Sequence, residues 1–142
     1  MNASKIVIAS ATLFLALQAN TAFACSSVNT DQSGHGNTVD IEASGCGSTS
    51  VDQHGDFSRT ETSRRGHDNH AVVGVYGNWN QVDTQTNGHS SATGIVVDAH
   101  DTLLNIKSNG AYNATGVVVE RSGSEVNSRA RGNNITTSIN IR

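Results

Sequence analysis

Two cysteines, six histidines and two small groups of arginines are the residues of this 142-residue chain best equipped to do chemistry. Cys25 and Cys46 are spaced by one repeat of the pattern set out below, which would put their Cα atoms on neighbouring levels within disulfide reach in an oxidising compartment. The competing fate is acylation of Cys25, with Cys46 left free. His67 and His89 follow turn glycines at equivalent places, and Cys46 holds that column two places earlier. Such a row suits a transition metal and equally suits solvated turns. The other histidines are His35, His54, His70 and His100. Asn113-Ala114-Thr115 and Asn134-Ile135-Thr136 match glycosylation sequons, a pattern that often arises by chance. Arg59, Arg64 and Arg65, with Arg121, Arg129 and Arg131, read as gatekeeper charges that limit aggregation. No Ser/His/Asp set, carboxylate pair in a cleft or phosphate loop can be defended, so no catalytic, cofactor-binding or metal residue is expected and the chain reads as a non-enzyme. A net charge of -3 without a basic aromatic surface argues against a nucleic-acid partner.

The elements that carry these residues follow from internal repetition. Gly34–Gly45, Gly55–Gly66, Gly77–Gly88, Ala99–Gly110 and Arg121–Gly132 align without gaps, starting 21, 22, 22 and 22 residues apart, and the chain closes on a half repeat, Asn133–Arg142. A fixed period in this range marks a repeat array. Each repeat reads as two strands. Alternation puts Thr30/Val51/Val73/Ile95/Val117/Ile139 and Gln32/Gln53/Val75/Val97/Val119/Ile141 in inward columns of the first strand. The second strand gives Asn37/Ser58/Asn80/Thr102/Ser124, Val39/Thr60/Val82/Leu104/Val126 and Ile41/Thr62/Thr84/Ile106/Ser128, with polar residues between them except at Leu103. A two-stranded unit cannot bury its inner face alone, and stacking at about 4.8 Å lets it do so. The expected fold is all-β: a β-solenoid of 22-residue strand–turn–strand repeats, five full rungs plus a half rung.

Ahead of the repeats, Lys5, the apolar run Ile6–Leu17 and Ala22-Phe23-Ala24 form a secretory leader, with residues 1–24 the signal peptide and 25–142 the repeat domain. Nothing else in the sequence is apolar enough to span a membrane. The mature part is poor in aromatics, which are 4% of the chain, and has no proline. That composition alone would fit disorder, but the strict placement of Val and Ile does not.

The motif pattern resembles curlin, the subunit of amyloid fibres on enterobacterial surfaces, whose repeats take the form S-x5-Q-x-G-x4-N-x5-Q. Repeat one supplies Ser26, Gln32, Gly34 and Asn37 with a shortened Gly-to-Asn gap; repeat two supplies Gln53 and Gly55; repeat three supplies Gly77 and Asn80. Later repeats keep the length but put Val97 and Val119 where Gln would stand, and the terminal Gln column becomes Ala43, Arg64, Thr86, Ser108 and Ala130. The resemblance implies a secreted, amyloid-competent subunit of extracellular fibres for adhesion and biofilm matrix, partnered by itself or a related curlin in head-to-tail contact. Curlins carry an export segment ahead of their repeats that has no counterpart here. The inward drift from Gln and Thr to Val and Ile gives unlike ends, which suits a minor or nucleating subunit.

With no residues set aside for caps, both end rungs are expected to offer open edges, Val117, Val119, Ile139 and Ile141 belonging to the C-terminal one. The alternative is a monomeric surface solenoid that binds a protein or polysaccharide; attachment to the cell surface is compatible with either. An ice-binding role needs outward threonine rows, whereas Thr60 and Thr93/Thr115/Thr137 fall on the inward face.

Overall fold

In the computed structural model, residues 4–9 and 26–142 are described. They form twelve strands: β1 (Ser4–Ala9), β2 (Ser26–Ser33), β3 (Thr38–Ser44), β4 (Gly47–His54), β5 (Arg59–His67), β6 (Asn69–Tyr76), β7 (Gln81–His89), β8 (Ala92–Asp98), β9 (Leu103–Ala111), β10 (Ala114–Val119), β11 (Glu125–Arg131) and β12 (Thr136–Ile141). There is no helix among the described residues. Odd-numbered strands build one six-stranded sheet, in the order β1-β3-β5-β7-β9-β11, and even-numbered strands build the other, β12-β10-β8-β6-β4-β2. From β2 onward every sheet neighbour is parallel and one repeat away. The chain is therefore a two-sheet β-solenoid of about five turns.

Hydrophobic alternation explains why the strands face as they do. The predicted columns hold residue for residue: Thr30 pairs with Val51, Val51 with Val73, Val73 with Ile95, Ile95 with Val117 and Val117 with Ile139. In the opposite sheet Val39, Thr60, Val82, Leu104 and Val126 follow in register. Most of these side chains are fully buried and form one continuous core, each aliphatic contributing about 1.5–3 kcal/mol by its removal from water. Leu103 points outward, as the pattern predicts, and is 41% exposed. Two contacts across the interior fix the direction of travel within a rung. Gln53 Nε2 donates to Ser58 O at 2.5 Å near one corner, and Arg64 Nε donates to Thr49 Oγ1 at 3.1 Å towards the other. Facing strands thus run in opposite directions.

The corners show a finer period than 22. Ser26, Asn37, Gly47, Ser58, Asn69, Asn80, Ser91, Thr102, Asn113, Ser124 and Ile135 stand eleven residues apart, save for a ten-residue step from Asn37 to Gly47. Both corners of the rung use the same bonding. Asn37, Asn69 and Asn80 each donate Nδ2 to the carbonyl four residues back and to a carbonyl of the rung above. Their Oδ1 atoms accept the backbone N–H of Ser58, Ser91 and Thr102 on that rung. The residue before the corner position is left-handed at both corners, as at Phe57, Asp68, Trp79, Ser90, Asp101, Tyr112 and Asn134. The two sheets are thus made of one 11-residue half-repeat, related along the coil by a half-turn.

Turn glycines are fixed by the approach of the next rung. At Gly88, with φ +148°, a Cβ would sit 1.7 Å from Gly110 O, which only hydrogen at that position avoids.

One sequence expectation is corrected. Arg64 is no surface gatekeeper: it is 0% exposed and lies inside the coil. It donates to Thr49 Oγ1, to Cys46 O at 2.8 Å and to Asn69 O at 3.1 Å. Its place in the column of Ala43 and Thr86 sends it inward, where Cys46 O, Asn69 O and Thr49 Oγ1 receive its N–H groups, and burial lowers its pKa. β1, within the segment read as the leader, pairs antiparallel with β3, Ile6 opposite Ile41 and Ile8 opposite Val39.

Candidate functional site

The expected assembly residues fall into two groups. Gly55, Gly77, Asn80, Gln53, Val117 and Val119 lie within the stack, with Gln53, Asn80, Val117 and Val119 at most 2% exposed. Gly55 and Gly77, at a corner, are partly exposed, while the other four hold rungs together inside the coil. Ser26, Gln32, Gly34 and Asn37 lie on the first rung, and Ile139 and Ile141 on the last. Gln32 sits on Gln53, and its carboxamide is enclosed without a hydrogen-bond partner. Ile139 and Ile141 are only partly buried, although their lower neighbours Val117 and Val119 are fully covered. The inner columns simply stop there.

Among the described residues, β1, β2, β11 and β12 each pair along one side only. The two ends carry opposite charge on their outward positions. β2 and β3 present Asp31, Asp40 and Glu42; Glu42 is bonded by Arg65 Nη2 at 3.3 Å and stands opposite Lys5 of β1. β11 presents Arg129 and Arg131 with one acid, Glu125, and Arg142, which follows β12, is paired with Glu120 at 3.5 Å.

Other clusters lie along the flanks. Asp52 stacks over Asp31, takes His54 Nε2 at 2.6 Å and accepts Tyr76 Oη at 3.0 Å. The His54 and Tyr76 rings are stacked 5.6 Å apart, and the hydrogen bond to Asp52 raises the Tyr76 pKa. Ligand atoms of Asp31, Asp52 and His54 lie within 4.8 Å of one another, a set able to take a cation that the spacing of residues did not reveal. His67 and His89 stack at 5.5 Å as their shared column predicts. At one corner Phe57 and Trp79, 54% and 60% exposed, stack at 4.6 Å in left-handed backbone. Cys46 is disulfide-bonded and carries no free thiol; Cys25, the partner expected from spacing, lies outside the described residues.

Fold and edges together define a class, a two-sheet β-solenoid with unlike charged ends. No family model matches this chain, and no curated protein or solved structure matches it significantly.

Proposed function

We propose that this chain is a secreted structural subunit which assembles end to end into extracellular fibres of the curlin kind. The observation that carries this reading is the strand edges where columns in strict register end: β11 and β12 with half-covered Ile139 and Ile141 at one end, and β2 with the unpartnered Gln32 amide at the other. Unpaired N–H and C=O groups on such edges template further strands, and ends of unlike shape make a contact that does not close on itself. The resemblance of repeats one to three to the curlin motif supports the same role, and the leader read in the sequence supports export. Removal of residues 1–24 would take β1 away and leave β3 free to pair.

Chain 25–142 at micromolar concentration should bind thioflavin and show fibres by electron microscopy. Ile139→Asp buries a charge at the seam and should stop growth at that end. Val117→Asp is the wrong probe, because Val117 is 2% exposed inside the coil and the change would unfold it. A dye-negative monomer over days, inert towards curlin seeds, overturns the proposal.

A second reading, a monomeric surface solenoid that binds a polysaccharide, draws on Phe57, Trp79 and Tyr112. A left-handed backbone costs a bulky residue roughly 1–3 kcal/mol, yet these three stand exposed where Gly36, Asp101 and Asn134 fill equivalent places. Under this reading Trp79→Asp leaves the coil folded and abolishes polysaccharide pull-down.

A further inference from the structure

We infer that successive copies dock with a half-turn, so that the first strand of one copy enters the opposite sheet of the copy below. This rests on the end-to-end reading and adds its geometry. The ground is the 11-residue half-repeat: both sheets are built from the same unit with the same corner bonds, so a strand of either kind fits either sheet. β2 to β12 are eleven such units, an odd number. β12 lies in the even-numbered sheet, so the next place in the coil belongs to the odd-numbered sheet, above β11.

Stacking without rotation would set β2 of the upper copy on β12 and leave one strand missing from the odd-numbered sheet at every seam. Rotation by a half-turn sets β2 on β11 and β3 on β12, all parallel, with no gap. Aligning the half-repeats then gives the register. Val28 of the upper copy covers Val126, Thr30 covers Ser128, and Ile41 covers Ile139. On the outer face Asp31 meets Arg129, whereas Glu42 and Arg142, one outward position apart, already hold Arg65 and Glu120 within their own copies. The charge match across the seam is therefore carried by Asp31 and Arg129. The other gap-free arrangement, tail to tail about a twofold axis, sets β11 against β12 of the partner copy and brings three arginines onto three arginines, which opposes it.

Paired cysteines and a short bis-maleimide separate these arrangements, with the parent chain 25–142 as control. Asn29, Asn127, Ser138 and Asn140 are all exposed and outward. The variant carrying Asn29→Cys and Asn127→Cys should cross-link into a ladder of multimers. A ladder from Asn29→Cys with Ser138→Cys instead would mean unrotated docking, which overturns this inference and leaves the fibre reading standing. A dimer alone from Asn127→Cys with Asn140→Cys would overturn both, as would the absence of any assembly. A charge exchange gives an independent check. Arg129→Glu should slow elongation, and Asp31→Arg in the same chain should restore it; restoration failing while the single variant still slows growth would contradict the Asp31–Arg129 seam.

Discussion

Asn80 shows how much one corner residue does. Its Nδ2 reaches Ala99 O at 2.7 Å, and its Oδ1 takes Thr102 N at 3.1 Å, both on the rung above. Asn80→Ala strands a buried carbonyl and a buried N–H, each costing about 1–3 kcal/mol. Chemical denaturation should show a loss of about 2–6 kcal/mol on that ground. Asn80→Ser should lose less, since Ser58 already serves this role through Ser58 Oγ to Gly77 O at 3.2 Å. Asp83 gives a different signal. Burial first, then the charge of Glu61, raises its pKa above the ordinary carboxylate value, although Asn105 Nδ2 donates to it at 3.0 Å. The folded chain thus holds the Asp83 proton more tightly than the unfolded chain, so ionisation weakens the fold at neutral pH and protonation removes that penalty as pH falls through the raised pKa. Asp83→Asn should raise Tm at pH 7, and the gain should shrink as pH drops into the range just above ordinary carboxylates. A gain independent of pH would contradict this cause.

At the scale of the strand and its corner, glycines divide by what lies above them. Gly88→Ala drives a Cβ into the Gly110 carbonyl and should cost roughly 3 kcal/mol or more. Gly94→Ala meets nothing within 4 Å, and the smaller entropy of the unfolded chain should stabilise it by about 0.4–1 kcal/mol. Equal effects in thermal melts would show that rung approach does not dictate the glycine column. The strands themselves were legible because alternation and stacking obey one register; the columns through Val73 and Val82 follow from spacing alone. The half-repeat was legible too, in Asn69, Asn80, Ser91 and Thr102 at eleven-residue steps, but the better-marked glycine period of 22 hides it. Arg64 could not be placed from type, because the carbonyls of Cys46 and Asn69 that receive it come from three-dimensional stacking. The Asp31–Asp52–His54 group depends likewise on parallel register across β2 and β4.

For the whole molecule, a coil whose two sheets are interchangeable can grow without a seam only in steps that complete the next half-rung. Eleven strands at about 2.4 Å each, half the strand spacing, give an advance of about 26 Å per copy, and two half-turns give an exact repeat near about 53 Å. The inner columns run from Gln32 and Thr30 at one end to Ile141 and Ile139 at the other, so each seam restarts the gradient. Cryo-electron microscopy of fibres grown from chain 25–142 tests this most directly. Strands should lie perpendicular to the fibre axis at about 4.8 Å spacing, with copies related by a half-turn and an advance of about 26 Å. Single particles of monomer mass at every concentration, or fibres with strands along the axis, would contradict it.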